Sequence, residues 1–201
     1  MGRKSGQVTS RAGRRVASKR DWLEEGLRVL SEDGAPALTV DRLAARLKLT
    51  KGSFYHHFKG MTGYKSDLLA YYEAEHTGRY IADAERGGGR TPLGRLLHLR
   101  DLVLADKGGS DRLEIAMRAW ASQDDEVRAL QQRVDELRVG YLRELVSDAG
   151  GADEDATPLA RLLYLLLVGS RQLVPPLPAE ELREVYTLAL RLAPQEEGPG
   201  T

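Results

Sequence analysis

The chain has 201 residues, 41% of them hydrophobic and 30% charged, with 30 Lys and Arg balanced by 30 Asp and Glu and no Cys. That length can bury a substantial core, and the missing thiols remove disulfides, thiolate metal sites and cysteine nucleophiles together. The longest apolar run, Leu162 to Val168, is seven residues, too short to span a bilayer; with no signal-peptide h-region at the N-terminus, a cytoplasmic protein is expected.

Zero net charge conceals a segregation. Residues 1–59 carry 13 Lys and Arg against 6 Asp and Glu, a net +7, which leaves 17 against 24, a net −7, for residues 60–201. A basic end on an acidic body favours docking of that end on a polyanion. Residues 1–20 hold seven cations and no anions, so a flexible basic arm is expected over 1–17. Its Arg11, Arg14 and Arg15 suit DNA phosphates or a minor groove; a tail adding only non-specific attraction fits the same composition.

The first helix is legible from Ser18 to Asp33. Trp22, Leu23, Gly26, Leu27 and Leu30 form its apolar stripe, Asp21, Glu24 and Glu25 sit near its start, and Gly34 and Pro36 end it. Thr39 then stands at an N-cap position, followed by Val40, Leu43, Ala44 and Leu47 at i, i+3, i+4, i+7, one apolar helical face. Leu47 to Thr50 breaks the pattern, and Thr50 caps a third helix opening on Lys51-Gly52-Ser53, a small, cationic turn able to approach a base edge. Phe54, Tyr55 and Phe58 add aromatic bulk, and His56, His57 and Lys59 add donors suited to phosphate oxygens. Two short helices around one corner, held by a longer one, make a helix-turn-helix.

Residues 18–72, above all the run Leu43 to Lys59 followed by Leu68-Leu69, resemble the N-terminal domain of the TetR family of bacterial transcriptional repressors. The family pattern of a short aliphatic turn, a Ser or Thr, an aromatic, Tyr, two variable positions and Phe is met at each place. The resemblance implies that Lys51, Gly52 and Ser53 face the major groove, that Tyr55, His56, His57 and Lys59 mostly meet the backbone, and that Phe54 and Phe58 are buried; Thr39 and Thr50 complete the expected DNA-binding set. One departure follows. Nine residues separate Phe58 from Leu68, roughly one helical turn more than the family uses, so either the fourth helix starts a turn early or the joint to the body is longer. Of the two lysines in this stretch, Lys59 is the better phosphate candidate and Lys65 the weaker.

Beyond the head, segments near 63–86, 92–106, 110–122, 124–149, 156–171 and 179–193 carry apolar residues at helical spacing between Gly-rich and Pro-rich breaks. The expected fold is all-α: a three-helix DNA-binding head over 18–62 and a larger helical effector-binding and dimerisation body over 63–195, about nine helices, with a disordered tail over 196–201. Leucines from 159 to 168 point around the whole helix, so one face needs a partner outside its own core. Leu159, Leu162, Leu163 and Leu166 with Leu182, Val185, Tyr186 and Ala189 are the candidate dimer interface, a four-helix contact about a two-fold axis; a central core helix is the other reading. Candidate lining for an effector pocket is His98, Leu102, Met117, Arg118, Trp120 and Tyr141, although Met117 and Trp120 at i, i+3 also fit plain core.

Catalytic and metal constellations are weak. Glu73 and His76 at i, i+3 form a single pair, His56 and His57 diverge by about 100° on a helix, and Gly87-Gly88-Gly89 lacks the residues of a phosphate cradle. No enzyme, metal or cofactor is expected. The expected function is a homodimeric regulator, foremost a repressor, of a palindromic double-stranded operator, released by a small-molecule effector. The alternatives are a DNA-binding regulator or architectural protein without an effector, and a helical enzyme or carrier that retains a DNA-binding head.

Overall fold

The computed structural model describes residues 17–87, 89, 91–105, 109–150 and 153–192. The arm cations Arg11, Arg14 and Arg15 and the tail over 196–201 lie outside the described residues. Among those described, the chain forms ten α-helices and no strand.

In α1 (Lys19–Asp33) the Ser18 side chain accepts from the Asp21 amide while the Asp21 carboxylate accepts from the Ser18 amide, a reciprocal cap that satisfies two donors the helix start would leave open. Helix α2 (Val40–Leu47) is capped by Thr39, and Lys48, with φ 56°, makes the sharp exit. Helix α3 (Lys51–His57) is capped by Thr50. Trp22 is the keystone: fully buried, it meets Phe54 edge-on at 5.4 Å, and Phe54 also contacts Phe58 and Tyr64 at 5.0 and 5.3 Å. Two turns of α3 gain from these aromatic contacts a stability they lack alone.

Helix α4 spans Gly60–Glu73 and passes through a π turn, Ala74–Gly78, directly into α5 (Arg79–Gly87). The long stretch after Phe58 is therefore helical almost from its first residue; the fourth helix starts early, three residues before the expected 63. Gly60 makes this possible with φ 79°, a conformation costly for a residue with a Cβ. The remaining helices are α6 (Pro92–Ala105), α7 (Gly109–Ala121), α8 (Asp125–Asp148), α9 (Asp153–Ser170) and α10 (Ala179–Leu190).

Two apolar cores organise these helices. The first joins Trp22, Leu30, Leu43, Phe54, Tyr64 and Leu68 to Leu113 and Met117 of α7 and to Val127, Leu130 and Val134 of α8, so the head is welded to two body helices through buried side chains. The second gathers Leu96, Leu142, Leu145, Val146, Leu159, Leu163, Tyr186 and Leu190. At the junction, Lys65 of α4 reaches Asp124 and Glu126 at 2.7 and 2.9 Å. Asp124 also caps α8; the Lys65 hydrogen bond outweighs the opposing effect of burial and holds its carboxyl below the usual range.

Candidate nucleic-acid interface and body cavity

Helix α3 presents its first turn to solvent because its opposite face is fixed. Phe54 and Phe58 are buried, while Lys51, Gly52, Tyr55, His56 and Lys59 are exposed and Ser53 is half-buried. Thr39 and Thr50 spend a lone pair each on capping, accepting from the amides of Arg42 at 3.2 Å and Ser53 at 3.4 Å. Lys51 Nζ lies 2.5 Å from Asp41 Oδ1 on α2; hydrogen bonding to that carboxylate raises the ammonium above the usual lysine range. Lys51 is thus held beside Asp41 at the exposed start of α3. His57 differs from its exposed neighbour: its Nε2 is 2.9 Å from the carbonyl of Ala17, which pins the chain ahead of α1 beside the end of α3. Lys65 faces Asp124 and Trp120, so its ammonium belongs to the head–body junction.

The free face of α3 is thus an exposed cationic turn, capped by Thr50 and anchored by the buried Phe54 and Phe58. Residues 23–63 match the family model for bacterial regulatory proteins, tetR family. This N-terminal domain belongs to the tetR family. Among curated proteins none matches the chain. Solved structures share the whole fold: the reduced form of NemR from E. coli aligns with a TM-score of 0.76 at 18% identity, covering 90% of this chain and 99% of that one. A TetR transcriptional regulator from Legionella pneumophila aligns at 0.73 and 15% identity, covering 89% and 98%. A Saccharomonospora viridis protein in complex with choline aligns at 0.71 and 18%, covering 86% and 95%. The helix-turn-helix head and the helical body together have the all-α fold of these solved structures.

The helical body encloses a mostly apolar cavity of about 90 Å³ between the π turn, α6, α8, α9 and α10, several times the room that one water needs. Its walls include Leu96, Leu99, Val103, Leu163 and Leu167. At one side stands a buried ionic centre built around Glu114 of α7, which is 4% exposed. Arg138 donates to both its oxygens at 3.0 and 3.1 Å, Arg118 lies at 2.9 Å and Tyr72 donates at 3.0 Å. Burial alone would push the Glu114 carboxyl up; Arg138, Arg118 and Arg171 outweigh it and hold the group below the ordinary glutamate range. A second acid, Asp135, receives Arg118 at 2.9 and 3.1 Å and Tyr164 at 2.7 Å. Burial pushes the Tyr164 phenol up to about 12, so it remains a donor at every physiological pH.

Of the six pocket residues expected from sequence, only Tyr141 lines this cavity. Arg118 is in the ionic centre behind it. Met117 belongs to the core shared by head and body, with Trp120 packed against it, because α7 lies across α1 and turns these side chains towards the head. Leu102 is half-buried outside the cavity wall. His98 packs over Gly87, where a Cβ would lie 2.2 Å from its Nε2. Sequence reasoning missed Glu114, Arg138, Arg171 and Thr77. The only hint was the i, i+4 spacing of Glu114 and Arg118, which seats both on one face of α7. Glu73 pairs with Arg133 at 3.6 Å and His76 stacks on Tyr72 at 5.2 Å, so the two face different neighbours; no group of three His or acidic side chains suited to a metal occurs among the described residues. No helix among the described residues is long and apolar enough to cross a membrane.

The apolar stripe of α9 and α10 divides. Leu159, Leu163, Tyr186 and Ala189 are buried in the core with Leu142, Leu145 and Val146, with α9 packed on α8 and α10 packed on α9 and α6, so these four are covered within the chain. Leu166 and Leu182 are half-buried against that core. Leu162 and Val185 are exposed, joined by Leu165 and Leu188, which the sequence reading did not select and which are 66% and 65% exposed.

Proposed function

We propose that this chain is a homodimeric transcriptional repressor that holds a palindromic operator through two α3 helices and lets go when a small molecule fills the body cavity. One observation carries the reading: the helix that starts at Gly60, under α3, runs without a break through α4 and reaches the cavity wall at His76 and Thr77. A ligand that alters the π turn acts on the same rigid element that Tyr64 fastens to the head, its hydroxyl donating to the Trp22 carbonyl at 3.0 Å. A ligand shifts the equilibrium only by its differential affinity for the two arrangements, and coupling of about 1–3 kcal/mol changes operator affinity roughly 5- to 150-fold. The choline complex of a protein with this fold supports a body that receives small molecules.

The exposed apolar residues of α9 and α10 support the dimer. Leu162, Leu165, Val185 and Leu188 form a patch that water would penalise on a lone subunit, and helix pairs of this kind close isologously about a two-fold axis. Two heads so related read two half-sites one helical turn of DNA or a multiple apart. The test is selection of bound sequences from random DNA, repeated with metabolite mixtures: a palindrome lost in the presence of one mixture supports the proposal, and binding indifferent to every mixture removes the effector from it.

A further inference from the structure

The cavity wall is uneven in charge. Three guanidinium groups reach it, from Arg100 on α6, Arg138 on α8 and Arg171 after α9, against one carboxylate, Glu114. That carboxylate already accepts from Tyr72, Arg138 and Arg118, with Gln131 Nε2 at 3.5 Å. With its roughly four lone-pair directions taken, it has little left for an incoming cation. The acids that pair with the other two guanidiniums stand towards water: Asp101 and Asp111 are 47% and 39% exposed, whereas Arg100 and Arg171 are 15% and 10% exposed. Water therefore screens the negative partners more than the positive ones, and the interior is left cationic. Arg100 spends its Nε and Nη2 on one oxygen of Asp101, at 3.0 and 2.9 Å, out of the five donors a guanidinium carries.

A second observation points to a ligand. Thr77, on the π turn, is 3% exposed, lines the cavity and has no hydrogen-bond partner for its hydroxyl. Buried hydroxyls are nearly always paired, and single π turns inside α-helices occur often at functional sites. The rest of the wall is made of aliphatic side chains and tyrosines, with His76 beside Thr77.

We propose that the cavity takes a small organic anion, a carboxylate with an apolar body. Its carboxylate meets the Arg100 guanidinium within the field of Arg171, its body lies along Leu99, Leu163 and Leu167, and the Thr77 hydroxyl hydrogen-bonds to it. The inference rests on the cavity being the effector site and adds the charge class of the effector.

The test is calorimetric titration of the full-length protein, without DNA, with octanoate and phenylacetate against octanamide, octyltrimethylammonium and choline. The carboxylates bind, and their amide and ammonium counterparts bind at least tenfold more weakly or not at all. Arg100→Gln weakens octanoate roughly tenfold or more, as loss of a charged hydrogen bond does, Arg100→Lys recovers part of the loss, and Thr77→Val weakens octanoate severalfold. Equal binding of octanamide, preferred binding of either ammonium compound, or no binding of either carboxylate overturns the anion class. Unchanged octanoate affinity in Thr77→Val overturns the role of that hydroxyl. A carboxylate that binds without releasing operator defeats the release mechanism and leaves the charge class standing; an ammonium compound that releases operator does the reverse.

Discussion

Tyr72 Oη donates to Glu114 Oε2 at 3.0 Å, and this bond joins the helix that leaves the DNA-reading head to the buried ionic centre of the body. Tyr72 is 1% exposed and Glu114 4%, so neither can exchange its partner for water without opening the junction. Burial pushes the Tyr72 phenol above its ordinary range, and the Glu114 charge pushes it the same way, which keeps the hydroxyl a donor. Glu114 also ties together α7, α8 and, through Arg171 at 3.8 Å, the end of α9.

The acid sensitivity of the fold should therefore run through Glu114. Its folded-state pKa lies below the unfolded value, so the carboxylate contributes stability that is complete above the ordinary glutamate range, about 4.3, and is lost as pH falls through the lower folded value. Glu114→Gln removes that contribution and leaves three guanidiniums underpaired, at a cost of about 3 kcal/mol at neutral pH. Urea unfolding between about pH 6 and pH 3 measures it: the variant is less stable than the parent at neutral pH, and the gap narrows on acidification. A gap that stays constant across that range contradicts the assignment.

Gly26 is predicted to tolerate no side chain. A Cβ there would lie 1.8 Å from Tyr64 Oη and 3.0 Å from its Cζ, at the contact that fastens α1 to α4. Gly26→Ala should cost about 1–3 kcal/mol, the usual range for overpacking. In the Tyr64→Phe background the hydroxyl is gone, so the same substitution should cost clearly less in thermal or urea unfolding. Equal costs in the two backgrounds would show that the contact does not govern this packing.

The roles on α3 separate by their effect on specificity. Tyr55→Ala, at an exposed ring, should weaken binding to all DNA sequences about equally. Lys51→Ala should also relax base preference in a selection experiment, and Lys59→Ala should reduce the slope of affinity against salt by about one phosphate contact. Asp41→Asn, which removes the anion beside Lys51, should strengthen non-specific binding. Matching specificity profiles for the Lys51 and Tyr55 variants would contradict the assigned roles.

Leu165 and Leu188 make the dimer testable without harm to the core, since both are largely exposed on the single chain. Leu165→Glu with Leu188→Glu should give a folded monomer in sedimentation and lose cooperative binding to a two-half-site DNA. A variant pair that sediments as the parent does places the contact elsewhere.

The head was legible because its determinants are local. Thr39, Thr50 and the spacing of Leu43, Ala44, Phe54 and Phe58 act within one or two turns, and caps and apolar faces of that kind are written directly in residue order. The early start of α4 hung on Gly60 and its positive φ, which residue identity permits but does not announce. The cavity was scarcely legible. Glu114, Arg138 and Arg171 come from separate helices, and Met117 and Trp120 turn towards the head because α7 packs on α1, a choice made by tertiary contact that periodicity does not encode. The stripe of α9 and α10 split for the same reason: a helix apolar all round shows that two faces need cover, and only the packing of α8 on α9 and of α6 and α9 on α10 decides which residues are covered within the chain.

Operator recognition by two heads is tested most directly by a selection of DNA sequences bound by the full-length protein, followed by footprinting of the winners. One two-fold symmetric sequence should be enriched, with protection over two half-sites one helical turn or a multiple apart, and base preference should be lost at symmetry-related positions when Lys51 is replaced by Ala. No enrichment, or a single asymmetric site protected by one head, would contradict recognition by two heads.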